Sequence, residues 1–352
     1  MGLSTETTEH CTVLTGATGF VGSAIIERLR LEQGNKPANA PRLRACARNV
    51  SGLDAATVEP VHVPEITGDT DWKTALQGAD VVIHAAARVH GMKESAADPL
   101  AAFRAVNVEG TLNLARQAAA AGVKRFIFIS SIKVNGEDTT LGNPYRHDDQ
   151  PAPEDPYGQS KALAEAGLTE LARETGMELV IIRPPLVYGP GVKGNFAAMM
   201  KLARKNLPLP LGAVQNQRSL VALDNLVDLI VTCIDHPQAA NETFLVSDYH
   251  DVSTTELLTL MTQASGKKPR LLPVRMGLIQ WSAAALGMKA VADRLCGSLQ
   301  VDITHTMETL GWTPPVSVEE GVRRCLTKNG SCLTTRFALL VTMPLAGRRT
   351  LK

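Results

Sequence analysis

Tyr157 and Lys161 stand four residues apart in the run Asp155-Pro156-Tyr157-Gly158-Gln159-Ser160-Lys161. On a helix that spacing puts one side chain above the other. An ammonium held there lowers a phenol pKa from ~10 toward neutrality. A phenol tuned in this way is a general acid/base for a proton on a sugar hydroxyl or ketone while a nicotinamide moves the hydride. A matching nucleotide loop lies upstream, Gly16-Ala17-Thr18-Gly19-Phe20-Val21-Gly22, entered from the apolar strand Thr12-Val13-Leu14-Thr15. Glycines at 16, 19 and 22 permit a tight turn, close approach of a pyrophosphate and close helix–sheet packing. The helix starting near Phe20 offers its unpaired N–H groups to the diphosphate. Asp155 and Pro156 read as N-cap and N1 of the Tyr/Lys helix.

The adenosine end of the cofactor site is carried by the second strand, Arg44-Ala45-Cys46-Ala47-Arg48-Asn49, which ends without a carboxylate. An acidic residue there would hold the ribose of NAD, whereas a guanidinium suits a 2′-phosphate. Arg48 therefore points to NADP(H) as the preferred cofactor. NAD(H) stays open if Arg48 is only a solvated strand-end residue.

These residues need a scaffold, and the chain spells one out. Strand-like runs at Val13–Thr15, Leu43–Ala47, Val61–Ile66, Val81–Ala85, Phe126–Ser130 and Leu179–Ile182 alternate with amphipathic stretches such as Gly22–Leu31 and Thr111–Ala121. That alternation predicts an α/β fold, a Rossmann-type doubly wound parallel sheet with a smaller C-terminal substrate lobe. Gly16, Ala85, Ser130 and Arg183 all fall at carboxyl ends of strands, where such a sheet binds its ligand. Past Arg183-Pro184-Pro185 the alternation becomes irregular. We expect a nucleotide domain over 10–190 with 215–249, a substrate lobe over 191–214 with 250–328, and an atypical basic tail over 329–352. No acidic residue follows Glu320.

Bulk properties narrow the function. A net charge of +1 and few aromatics give no support to nucleic-acid binding. Six cysteines, at 11, 46, 233, 296, 325 and 332, show no CxxC and suit a reduced, cytoplasmic protein. The first residues carry no export signal, and no apolar stretch is long enough to be an integral membrane segment. The stretch Leu278–Leu286 reads as an ordinary buried helix. The eight histidines form no ligand cluster, so no metal is expected.

From about Cys11 to Arg324 the chain resembles an extended short-chain dehydrogenase/reductase, in the nucleotide-sugar epimerase/dehydratase/reductase group. The resemblance is carried by the glycine loop, His84-Ala85-Ala86-Ala87, Asn107-Val108-Glu109-Gly110-Thr111, Ser130-Ser131, Tyr157 with Lys161, and Arg183-Pro184 followed by Val187-Tyr188-Gly189-Pro190-Gly191. More narrowly it is similar to the bacterial O-antigen branch that reduces UDP-4-keto-6-deoxy-N-acetylhexosamines, as in UDP-N-acetylquinovosamine formation. Ser131–Glu137, Gly191–Phe196, Leu207–Gly212 and Arg294–Leu299 carry that likeness.

The resemblance implies roles. Ser131 would be the catalytic hydroxyl, chosen over Ser130 by its offset from Val134, with Ser130 beside the cofactor. Tyr157 would be the acid/base, and Lys161 would lower its pKa and bind the nicotinamide ribose. Asn107 would support the active-site backbone, Ala85, Ala86 and Ala87 would pack on the cofactor, and Pro184 to Leu186 would lie beside the nicotinamide. For a UDP-sugar substrate, Asn195, Phe196 and Leu211 would line the uridine pocket, while Arg218 and Arg294 would grip the diphosphate. Either arginine is also readable as a surface residue, Arg294 more so than Arg218, and Lys133 as a substrate contact or a solvated side chain. The family also implies a homodimer through a helix bundle.

Sugar 4,6-dehydratases need Asp-Glu after the catalytic Ser/Thr, and this chain has Ile132-Lys133. That leaves two activities. The first is NAD(P)-dependent reduction of the C4 ketone of a UDP-4-keto-6-deoxy-N-acetylhexosamine in lipopolysaccharide O-antigen sugar synthesis, which Arg48 favours. The alternative is a UDP-sugar 4-epimerase, on UDP-glucose or UDP-N-acetylglucosamine, with tightly bound NAD. A redox-sensing regulator on the same fold would be expected to lose Tyr157 and Lys161.

Overall fold

The computed structural model describes residues 11–33, 42–89, 99–285, 287 and 289–326. The basic tail over 329–352 and Cys332 lie outside the described residues. Within them the chain forms strands β1 (Cys11–Thr15), β2 (Arg42–Ala47), β3 (Glu59–His62), β4 (Val81–His84), β5 (Arg125–Ile129), β6 (Glu178–Arg183), β7 (Leu186–Tyr188), β8 (Leu220–Ala222) and β9 (Glu242–Leu245). One parallel seven-stranded sheet runs β3-β2-β1-β4-β5-β6-β9, and β7 pairs with β8 beside it. This is the α/β, Rossmann-like architecture expected from the strand–helix alternation. The strand order reverses at β1, between β2 and β4, so the ligand crevice opens there.

Period-two alternation divides the core. Leu14, Ile83, Ile127 and Ile182 face one layer, closed by the helices Phe20–Gln33 and Leu223–Asp235. Val13, Val82, Phe126 and Ile181 face the other, closed by Leu114 and Ala118 of the helix Thr111–Ala120 and by Leu168 of the helix Pro156–Thr175. Both faces are buried, as a parallel sheet requires.

Three expectations shift. β3 occupies Glu59–His62 rather than Val61–Ile66. Pro64 brings no N–H to continue the ladder, and Pro60 is tolerated because β3 is an edge strand. Residues 215–249 return to the main sheet only through β9, since β8 pairs with β7. The apolar stretch expected to form a buried helix is a helix, Met276–Ala285, but it lies on the surface with Trp281 73% exposed. Apolar composition signals a helix here without saying what covers it.

Candidate active site

The nucleotide loop owes its shape to backbone proximity. Gly16 has φ of +72°, and a Cβ on it would sit 2.7 Å from Ala86 N. A Cβ on Gly22 would collide with the Gly16 carbonyl oxygen. The glycines at 16 and 22 are therefore required for the turn to close against β4 and for the helix Phe20–Gln33 to start where it does. Gly19 N donates to Gly16 O at 2.8 Å, and the first turn of that helix carries no carboxylate. Such a turn, backed by a helix N-terminus, fits a dinucleotide's diphosphate. Thr18 and Gly19 are exposed at its tip, while Phe20 and Val21 are half-buried.

His84 locks this loop to the sheet. Its ring bridges Thr15 Oγ1 (2.7 Å) and Thr111 Oγ1 (2.9 Å), and burial pushes its pKa down to about 3. It is a neutral structural histidine. Beyond it Ala85, Ala86 and Ala87 are half-buried at the carboxyl end of β4. Over Ala105–Gly110 the chain widens into a π-helical turn that buries Asn107. Asn107 accepts from Arg88 N (2.8 Å) and donates to Arg88 O (3.0 Å) and Ser160 Oγ (3.0 Å). One amide thus joins the segment after β4 to the Tyr/Lys helix.

That helix, Pro156–Thr175, begins as its sequence dictates. Asp155 Oδ1 accepts from Gly158 N at 2.6 Å, with Pro156 at N1. Tyr157 sits edge-on to the buried ring of Phe103, with centroids 6.0 Å apart. Lys161 is 1% exposed; its Nζ donates to Ile129 O at 2.8 Å and lies 4.3 Å over the Phe128 ring. Here an expectation fails. The Tyr157 phenol is not drawn toward neutrality but pushed up to about 12, by burial first and the Asp155 charge second. Lys161 itself is driven down to about 7 by burial, against the opposing pull of Glu165. Its ammonium is aimed at the end of β5.

Ser131 and Ser130 are sorted by what each hydroxyl meets. Ser130 is buried and donates to Glu165 Oε1, so its hydroxyl is directed into the protein rather than toward a cofactor. Ser131 is half-exposed and caps the 3₁₀ turn Ile132–Val134, accepting from Lys133 N at 3.3 Å. Ile132 N donates to Pro184 O (3.0 Å), which brings Ser131 alongside buried Pro184; Leu186 is exposed. Lys133 bridges Asp155 (2.5 Å) and Glu137 (2.8 Å). Burial opposes its charge, but those carboxylates outweigh it and raise its pKa. It ties the Ser131 turn to the start of the Tyr157 helix.

Gly158 makes that junction possible, because a Cβ there would sit 2.7 Å from Lys133 O. Beneath it Glu165 pairs with Arg183, whose Nη1 also donates to Asn135 Oδ1 at 3.0 Å. Sequence reasoning missed Gly158, Glu165 and Asn135 as site residues, and placed Arg183 at the ligand end of its strand without naming its partner. Glu165 was within reach, one turn beyond Lys161 on the same helix face.

The remaining candidates are more scattered. Arg48 is exposed just past β2. Asn195 is exposed, whereas Phe196 is 1% exposed and stacked on Tyr188 with centroids 4.9 Å apart. Leu211 packs with Val214, Leu258 and Cys296. Arg218 is half-buried, its Nη1 donating to Gly297 O at 3.2 Å, and burial lowers its pKa. The side chain of Arg294 lies outside the described residues. Among the described residues no cluster of His, Cys, Asp or Glu could hold a metal ion, and no helix is long and apolar enough to cross a membrane.

Known proteins are similar to this chain in sequence and in fold. The chain is 50% identical to UDP-glucose 4-epimerase of Vibrio cholerae over 313 residues, covering 89% of this chain and 93% of that one. Its fold is similar to that of UDP-glucuronic acid 4-epimerase from Bacillus cereus in complex with NAD (TM-score 0.70, 21% identity, 89% and 94% of the two chains). It is also similar to that of UDP-glucose 4-epimerase from Thermotoga maritima with UDP-glucose (TM-score 0.67, 23% identity, 90% and 97%). Residues 12–247, which hold the glycine loop, Ser131, Tyr157 and Lys161, match the model of one family. The chain belongs to the NAD dependent epimerase/dehydratase family.

Proposed function

We propose that this protein is a UDP-hexose 4-epimerase that keeps NAD bound through its cycle. The observation that carries the reading is the 50% identity, across nearly the whole length of both chains, to a UDP-glucose 4-epimerase. The Ser131, Tyr157 and Lys161 arrangement supports it but is shared with reductases. The diphosphate of NAD would be held by the loop from Gly16 to Gly22, and its nicotinamide end by Ala85 to Ala87, Pro184 and Lys161. When bound, NAD supplies reversible hydride acceptance at the sugar C4.

The chain's own residues then handle the proton and the oxygen. Tyr157 acts as the phenolate, taking the proton of the 4-hydroxyl and later returning it. That requires the positive charges of Lys161 and of NAD when bound to draw the phenol down from the raised value that burial sets. Ser131 is the hydroxyl free to orient that oxygen, because Ser130 is committed to Glu165. Lys161, when protonated, sets a positive charge at the end of β5 on the buried side of the site. Ile132 is buried and Lys133 is held between two carboxylates, so neither supplies the acid and base of a dehydratase. We assign the sugar nucleotide to the side formed by 191–214 and 250–328, with Asn195, Leu211, Arg218 and Arg294 as its contacts, and a homodimer through a helix bundle, as the family resemblance implies.

A second reading is NADP(H)-dependent reduction of a UDP-4-keto-6-deoxy-N-acetylhexosamine. Exposed Arg48 at the end of a carboxylate-free strand favours it. One experiment separates the two. The purified protein is denatured and its released nicotinamide identified. Native protein is then given UDP-glucose or UDP-N-acetylglucosamine without added cofactor. Bound NAD and formation of the 4-epimer support the epimerase. An empty protein that consumes NADPH only with the 4-keto sugar overturns it in favour of the reductase.

A further inference from the structure

The helix Met276–Ala285 turns Ile279 toward the small cluster of Leu211, Val214, Leu258 and Cys296. Its other large side chains face outward: Trp281 is 73% and Leu278 58% exposed, with Met276 exposed at its start. A helix apolar on all sides is normally buried on all sides. Leu272 and Leu207 are exposed beside it. Backbone pairing joins the two segments involved, since Leu209 N donates to Arg270 O (3.1 Å) and Leu272 N to Leu209 O (2.7 Å).

Charge distinguishes this face. No Asp or Glu occurs from Leu179 to Leu223 or from Leu257 to Ala292, in a chain with 35 acidic residues and a net charge of +1. Arg204, Lys205, Lys267, Lys268, Arg270 and Arg275 are exposed on these segments. Lys267 Nζ donates to Arg204 O (2.6 Å) and Asn206 Nδ2 to Lys268 O (3.1 Å), which holds the cations of both segments together.

An apolar ridge bearing a tryptophan, edged by exposed cations that outnumber the exposed Asp293 on the helix Lys289–Cys296 packed beside it, matches the interface of an anionic bilayer. Trp and Leu enter the boundary between headgroups and acyl chains, while Lys and Arg meet the phosphates. A second copy on this face would set like charges against like in a two-fold contact. We propose that this face docks on the surface of a bilayer containing anionic phospholipid. The inference goes beyond the sugar chemistry and does not depend on it.

Trp281 is its own probe, because the chain's other tryptophans, Trp72 and Trp312, are 0% and 6% exposed. The full-length protein is mixed with vesicles of phosphatidylcholine alone or with phosphatidylglycerol in equal parts. It should sediment with the anionic vesicles only, and its tryptophan emission should move to the blue. A Leu278→Ser/Trp281→Ser variant should partition at least ~10-fold more weakly while keeping wild-type circular dichroism. An Arg204→Gln/Lys205→Gln/Lys268→Gln variant should lose much of the salt dependence. Failure to sediment overturns the proposal. So does binding with unshifted emission, which would locate the contact elsewhere on the chain. A doubled mass in solution that Trp281→Ser abolishes would make the occupant a second copy, and would overturn it too.

Discussion

Glu165 and Arg183 meet in a two-pronged ion pair sealed beneath the helix that carries Tyr157 and Lys161. Arg183 Nη2 lies 2.6 Å from Glu165 Oε2, and Nε lies 3.1 and 3.2 Å from the two carboxylate oxygens. Both side chains are 7% exposed. The pair joins the helix of Tyr157 to the end of β6, just before Pro184, and reaches Ser130 and Asn135 as well. Three backbone segments that border the candidate site are thereby held at fixed separation.

Breaking such a pair from one side leaves a buried charge without its partner, at a cost of about 3–5 kcal/mol. Arg183→Met should lose stability of that order in urea unfolding. Adding Glu165→Gln to it should recover a substantial part, because the orphaned carboxylate is gone. An Arg183→Met protein within about 0.5 kcal/mol of wild type would count decisively against a structural role for the pair.

The junction at Gly158 makes a separate claim about geometry. Its added Cβ would press on Lys133 O, a backbone atom that cannot rotate away. Gly158→Ala should push the Ser131 turn off the start of the helix, costing about 1–3 kcal/mol in strain and lowering kcat. The glycine loop is remote from this junction, so NAD content should stay near wild type. Unchanged turnover in Gly158→Ala would show that the turn and helix need not be this close.

Lys161 gives a pH dependence with a definite sign. Burial depresses its pKa from 10.5 to about 7, so between those values the unfolded chain holds a proton that the folded chain has released. Stability contributed by this group therefore rises with pH across that window and is least below it. Lys161→Met removes the buried ammonium. The variant should be more stable than wild type near pH 6, with the advantage shrinking toward pH 10, while turnover falls sharply. Thermal unfolding of both proteins at several pH values tests this; a gap in Tm that does not narrow with rising pH would refute it.

Much of this could be read from the chain because the signals are local. Gly16, Gly19 and Gly22 shape one turn, and Tyr157 and Lys161 share one helix face. The α/β alternation comes from side-chain periodicity alone. What escaped depends on distant neighbours. The tuning of the Tyr157 phenol turns on where the Lys161 ammonium points, and Ile129 O lies on another element. Arg183 ends an otherwise apolar strand, Leu179–Ile182, and a cation so placed demands a partner. The sequence alone did not say that the partner was Glu165. The exposure of Trp281 was illegible because helix-forming apolar residues look alike whether covered or bare.

Tyr157 itself can be tested without disturbing the fold. Phenylalanine in its place keeps the ring edge-on to Phe103, so Tyr157→Phe should unfold within about 1 kcal/mol of wild type. It should also retain its dinucleotide, since the glycine loop is untouched. What it loses is the hydroxyl we propose to take and return a proton at the sugar oxygen, and kcat should fall by ~10² or more. Substrate KM should change little, because the hydroxyl acts on the reacting oxygen rather than on the diphosphate. If Tyr157→Phe raised KM while sparing kcat, the phenol would be a binding group, and the acid/base would have to be sought elsewhere in the crevice.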